Sequence, residues 1–213
     1  MKSIVVIACS VFILVSCNDN SNDNRKKQPA PPPAQTDSAQ KMVDIDSSAL
    51  FTDSTKAILQ VIKNRDYKRF SRYIHPVSGI RFSPYGYIDT TKDRTFSAEE
   101  FIRQYQKGNK INWGNYDGSG APILLSVEEY FKKFVYSADF LNAEKTSFDK
   151  ITGKGNSLNN LEKVYKQDHF TESYFSGFDQ KYNGMDWTSL KLVYEIYENK
   201  IYLVAIIHDQ WTI

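Results

Sequence analysis

LKLVYEIYENKIYLVAIIH, residues 190–208, is the stretch that decides the fold. Leu190–Tyr197 and Ile201–His208 are rich in branched and aromatic side chains, the types that suit a pleated, half-buried surface. Glu198, Asn199 and Lys200 between them have turn composition, so the segment is a β-hairpin. The second arm is apolar from Ile201 to Ile207 without alternation, which predicts a strand covered on both faces. If that arm continues through His208 and Asp209, their side chains point to opposite faces and cannot pair. Asp209 then shares a face with Trp211.

Further strands are expected upstream at 79–83, 112–116, 123–125, 148–152 and 170–175. In the first of these Ile80 and Phe82 face one way, Arg81 and Ser83 the other. Helical periodicity places Phe51, Ile58, Val61 and Ile62 on one face, with Thr52 or Asp53 as N-cap. Asp66 caps a short second helix that turns Tyr67, Phe70 and Ile74 inward and stops at His75-Pro76, because the residue before a proline is pushed out of the helical region. Two capping boxes, Ser97 with Glu100 and Ser126 with Glu129, open further helices. Helices first, then strands with helices inserted, then a long hairpin is an α+β order. It predicts a curved antiparallel sheet packed on N-terminal helices. This order is similar to that of the NTF2-like families, and the resemblance implies a cone with a pocket.

At the other end of the chain, Lys2 precedes an uncharged run from Ile4 to Val15, closed by Leu14-Val15-Ser16-Cys17. The run is shorter than the roughly 20 apolar residues a membrane-spanning helix needs. It resembles the signal peptide and lipobox of bacterial lipoproteins, which implies cleavage before Cys17 and acylation of that cysteine, palmitate among the chains. The expected organisation is a leader at 1–16, a polar, proline-stiffened tether at 17–44 and one α+β domain at 45–213. Asn18, Asp19 and the acids behind them resemble lipoprotein sorting signals, which implies the outer membrane with the body facing the periplasm or the cell surface. Segments 75–89, 113–120, 184–187 and 206–213 resemble a group of bacterial secreted and lipoprotein domains. That resemblance implies no activity and transfers no functional residue.

Composition narrows the chemistry. The formal net charge is +2, and no clustered basic excess is visible, so nucleic acid is not an expected partner. The two cysteines are Cys9 and Cys17, which leaves the body without a thiol for disulfides, thiol catalysis or cysteine–zinc sites. Packing must then come from the 13 Phe, 14 Tyr and 3 Trp. Several short motifs fail on spacing. Gly153-Lys154 lacks the earlier glycine and the following Ser or Thr of a phosphate-binding loop. Asp179–Gly184 lacks the oxygen ligands of a calcium loop, and Gly118-Ser119-Gly120 is a turn rather than a nucleophile elbow. His75, His169 and His208 stand apart, so no helical metal pair is expected, and no cofactor is implied.

One constellation has the composition of a small-molecule site: Arg81, Tyr85, Tyr87 and Asp89 near the first strand, with His208 at the end of the last. Aromatic walls with a few orienting polar groups are what such sites need. The alternative is that the two tyrosines pack a turn shaped by Pro84 and Gly86 while Arg81 pairs with a carboxylate. The leading expectation is a lipid-anchored envelope protein, held to the membrane through acylated Cys17. Its non-catalytic body binds a small ligand or another envelope protein. A hydrolase or isomerase using Asp89 or His208 as general base beside Arg81 is the alternative, and requires those three to line one pocket. A scaffold protein is the third, favoured by a filled cone.

Overall fold

The computed structural model describes residues 38–153 and 158–212. The leader 1–16, Cys17 and tether residues 18–37 lie outside the described residues. Helix α1, Ser38–Lys63, begins within the span expected to be tether and runs past the expected caps. Thr52 is therefore inside the helix, its hydroxyl turned back to the Ser48 carbonyl at 2.8 Å. Asp66 does cap α2, Tyr67–Phe70, by accepting the Arg69 N–H. Both capping boxes are formed: Ser97–Glu100 opens α3, Ala98–Lys107, and Ser126–Glu129 opens α4, Val127–Tyr130. A π-helical turn, Phe131–Val135, continues α4. A last short helix, α5, spans Leu161–Val164.

The strands are β1 Ile80–Ser83, β2 Arg94–Phe96, β3 Ile111–Asn115, β4 Pro122–Leu125, β5 Lys145–Phe148, β6 His169–Phe175, β7 Thr188–Tyr197 and β8 Lys200–Gln210. Strand β5 ends where Phe148–Thr152 was expected to begin. Asp149 takes a positive φ of 47° there, donates its N–H to the Phe170 carbonyl and leaves the ladder. At the hairpin tip Glu198 and Asn199 both have positive φ, 49° and 60°, as a two-residue turn matched to strand twist requires.

Six strands form one sheet in the order β2-β1-β8-β7-β6-β5, and β3-β4 make a separate pair. The large sheet is mixed rather than antiparallel throughout, because β1 inserts alongside β8 in parallel. A bulge between Val193 and Tyr194 shifts the β7–β8 register by one residue. It switches the side-chain parity, so Leu203 and Ile206 reach one face while Ala205 and Ile207 reach the other. The expected two-sided burial of β8 holds.

The first face carries the main core. Phe51, Phe70, Phe82, Phe101, Trp113, Tyr130 and Phe131 fill the space between helices and sheet, and Trp113 stacks on Tyr130 at 3.9 Å between centroids. Burial of each such ring contributes roughly 1.5–3 kcal/mol. Thr55 ties α1 to the sheet through its hydroxyl, 2.7 Å from Thr171 Oγ1 and 2.6 Å from the Tyr194 hydroxyl.

The second face is covered by the chain around Ile88 and by Ile151 and Leu161, which pack on Phe170, Val193 and Ile207. Under this cover lies a buried ionic cluster. Lys191 Nζ is 2.9 Å from Asp209 Oδ2 and 3.1 Å from Glu172 Oε1, and the Lys191 and Glu172 side chains are 0% exposed. Ser189 Oγ lies 3.2 Å from the same nitrogen. Glu172 also accepts the backbone N–H groups of Thr152 and Gly153. Two glycines let backbone come this close: a Cβ on Gly86 would sit 2.6 Å from the Asp209 carboxylate, and one on Gly153 would sit 2.8 Å from the Trp187 ring.

Candidate functional site

Where β1 ends, the chain turns through Pro84-Tyr85-Gly86-Tyr87 and returns by a loop to β2. This segment and the β3–β4 hairpin enclose a cleft of about 620 Å³ lined by Pro84, Tyr85, Tyr87, Asp89, Lys92, Asp93, Asn115, Tyr116 and Asp117. The loop is shaped by its own polar groups. Asp89 Oδ1 accepts from Thr91 N, Thr91 Oγ1 and Lys92 N, and these bonds, Thr91's hydroxyl foremost, hold the Asp89 carboxyl below its ordinary range. Asp93 Oδ2 accepts from Ser83 Oγ at 2.5 Å and Asp89 N at 3.0 Å. Burial nonetheless dominates at Asp93 and pushes its carboxyl up to about 6, against those hydrogen bonds and the Arg81 charge. On the second face, Asn160 clasps both backbone groups of Ile88, at 2.8 and 3.0 Å, and anchors the loop.

The opposite wall comes from β3. Gly114 takes φ 117° there, and Pro84 is the nearest group to its missing Cβ, at 3.8 Å. Tyr116 is held by Lys133, whose Nζ lies 4.5 Å from the ring centroid and donates to the hydroxyl at 3.0 Å. Tyr85 packs edge-on against Phe134, and burial raises its phenol above the ordinary range. Among the lining residues the charges are three carboxylates, Asp89, Asp93 and Asp117, against Lys92. Among the described residues, no group of three or more His, Cys, Asp or Glu is disposed to hold a metal ion.

Of the five residues expected to meet, Tyr85, Tyr87 and Asp89 line this cleft, and Arg81 and His208 do not. Arg81 projects from the second face, into a groove with Tyr165, Asp168 and Glu195. Its Nη1 donates to the carbonyls of Thr90, at 3.3 Å, and Asp93, at 3.5 Å, so it braces the loop from behind. His208 is buried on the first face, edge-on to Phe134. It therefore lies on the opposite face from Asp209, as strand alternation requires. The pocket shared by Arg81, Asp89 and His208, on which the enzyme alternative depended, is not formed.

His208 has a definite role all the same. The Pro84 carbonyl, 3.1 Å from Nδ1, can only accept, so Nδ1 carries the proton and Nε2 accepts from the hydroxyls of Thr188 (3.2 Å) or Ser137 (3.4 Å). It is a positioning residue behind the cleft wall. Burial, outweighing the Pro84 bond, lowers its pKa to about 4, so the ring is neutral at physiological pH.

A pH dependence follows. The depressed value means His208 contributes stability that is fully present above about pH 6.5 and lost as pH falls through 4, a change of about 3 kcal/mol. Asp93 acts in the opposite sense: its raised value gives stability as pH falls through about 6 towards the ordinary carboxylate range. Urea unfolding at pH 7 and pH 4.5 separates them. Asp93→Asn is expected to steepen the acid loss and His208→Gln to abolish it; an unchanged pH slope in both variants would show that neither group is coupled to folding.

Sequence reasoning missed Lys92, Asp93 and the hairpin residues Asn115, Tyr116 and Asp117. The one available signal was the turn at Asp117–Gly120, which presents polar groups at the end of a strand. Comparison with protein-family models, curated proteins and solved structures yields no match for this chain.

Proposed function

We propose that this chain is a lipid-anchored protein of the bacterial envelope, held through acylated Cys17, whose body binds a small amine-bearing ligand without transforming it. The observation that carries this reading is the tyrosine-walled cleft with its excess of carboxylates. Tyr85 and Tyr87 line it with aromatic rings of the kind that attract cations, Asp93 and Asp117 offer the counter-charge, and the Tyr116 ring already carries the Lys133 ammonium. The volume is in the range of small-molecule sites. An NTF2-like relation is our proposal for the finer fold, supported by the order of elements and by a sheet that packs helices on one face. Among the described residues no helix is long and apolar enough to cross a membrane, which is compatible with an anchor of another kind.

The experiment is a thermal-shift series with polyamines and amino sugars against carboxylates and phosphates. At a hundredfold excess over Kd a bound amine stabilises by about 2.7 kcal/mol, or roughly 5–10 °C for a chain of this size. That shift is expected in the wild type, with the ligand recovered unaltered, and is expected to be lost in Tyr87→Ala and Asp117→Asn. Stabilisation by anions alone, or recovery of a product, would overturn the reading. Labelled palmitate entering the wild type but not Cys17→Ala checks the anchor. A second reading, a protein-interaction scaffold, is favoured by the aromatic filling between helices and sheet. Phe178, Tyr182 and Met185, exposed along one short segment, also favour it.

A further inference from the structure

The buried cluster of Lys191, Glu172 and Asp209 has the parts of a reaction. Lys191 and Asp209 are diagonal neighbours on adjacent antiparallel strands: Lys191 is opposite Ile207, and Ser189 is opposite Asp209. Glu172 is directly opposite Lys191 on the third strand. An amine nitrogen, a carboxyl 2.9 Å away and a second carboxylate 3.1 Å away therefore converge from three consecutive strands, with essentially no solvent contact. We propose that Lys191 and Asp209 become joined by an intramolecular amide bond, with Glu172 as the proton carrier.

The chemistry closes on itself. The Lys191 ammonium passes one proton through Glu172 to the Asp209 carboxylate, and the freed nitrogen lone pair attacks the Asp209 carboxyl carbon. A second proton leaves the nitrogen by the same route and goes to the hydroxyl, which departs as water. The new C–N bond replaces one C–O bond, and the nitrogen keeps one hydrogen. Nothing is oxidised or reduced, and no co-reactant is consumed. The nitrogen and the carboxyl are held by packed strands, and such pre-orientation replaces the entropy cost of bringing reactants together.

Burial also removes one obstacle to condensation. In water an ammonium and a carboxylate are strongly hydrated, and condensation has that hydration to overcome. Here the hydration is already gone, and each buried ion carries a desolvation penalty of several kcal/mol. Condensation replaces two of the three charges by a neutral amide. Glu172 keeps the N–H groups of Thr152 and Gly153 and gains the amide N–H, so the remaining carboxylate is still hydrogen-bonded. In a body without a cysteine, such a bond staples β7 to β8 where a disulfide is not available.

Tryptic mass spectrometry of the full chain decides the matter. Trypsin cleaves after Lys181, Lys191 and Lys200, so an unmodified chain yields peptides 182–191, 192–200 and 201–213. The expected result is loss of cleavage at Lys191 and a joined species of 182–200 with 201–213, lighter by one water than the sum of its parts. Asp209→Ala abolishes that species, and Glu172→Gln reduces it to background while circular dichroism confirms a folded chain. Free peptides 182–191 and 192–200 from folded wild type would overturn the proposal. A bond from Lys191 to peptide 167–181, which carries Glu172, would overturn the choice of Asp209. Full retention of the bond in Glu172→Gln would overturn the proton-carrier role.

Discussion

Replacing Lys191 with Met is expected to remove a large part of the stability of the body. The substitution conserves much of the side-chain volume but removes the group that joins Glu172 and Asp209, as counter-ion before the amide forms and as its nitrogen afterwards, and leaves two carboxylates, 0% and 4% exposed, without it. Stripping one partner from a buried ion pair costs about 3–5 kcal/mol, because the charge left behind has neither water nor counter-ion. Whole domains are stable by only about 5–15 kcal/mol. Urea unfolding measures the change as a lower midpoint at unchanged slope. The mechanism makes a second, less intuitive demand. Lys191→Met combined with Glu172→Gln and Asp209→Asn removes every charge and keeps oxygen acceptors for Thr152 and Gly153. This triple variant is expected to be more stable than Lys191→Met alone, although it departs further from the native sequence. If the triple variant is the weaker of the two, packing rather than charge governs the cluster.

Ending the chain at Lys200 is expected to abolish folding altogether. The loss is not an edge strand: β8 lies between β1 and β7, so its removal separates β1-β2 from the rest of the sheet. Leu203, Val204, Ala205, Ile206 and Ile207 are all buried, and they serve both cores. At roughly 1.5–3 kcal/mol for each large side chain, their sum is comparable to the stability of the domain. Circular dichroism of the shortened chain should show no cooperative thermal transition; a sharp melt would mean that the remaining strands make a core of their own.

Much of this was legible in the sequence because it is local. The hairpin, the Asp66 cap and both capping boxes depend on residues a few positions apart, and all are formed. The grouping of Tyr85, Tyr87 and Asp89 in one cleft is local in the same way. What was not legible depends on distant partners. The β1–β8 pairing joins residues more than a hundred positions apart, and nothing in Arg81 announces which face its neighbour will assign it. His208 was expected beside Arg81, but it faces the interior of the other layer. Lys191, between Leu190 and Leu192, has the alternation of a strand with one solvent face. Only the two-sided burial inferred for β8 hinted that its neighbour's charged side chain is covered as well. The start of α1 lies upstream of the expected caps because residues 38–50, mostly small or polar with only Met42, Val43, Ile45 and Leu50 apolar, read alike in a helix and in a spacer.

The parallel placement of β1 against β8 also has a consequence in time. Ribosomes deliver the chain from its N-terminus, and domains that complete early can fold while the rest is still being made. Here the strand that joins the two parts of the sheet is the last element made among those described, so β1 waits more than a hundred residues for its neighbour. Contacts of such separation form slowly, because a long loop must close before any of them is rewarded. The sheet thus cannot be completed until β8 has been made, and β1 and β2 stay without their link to β7 and β6 until that moment.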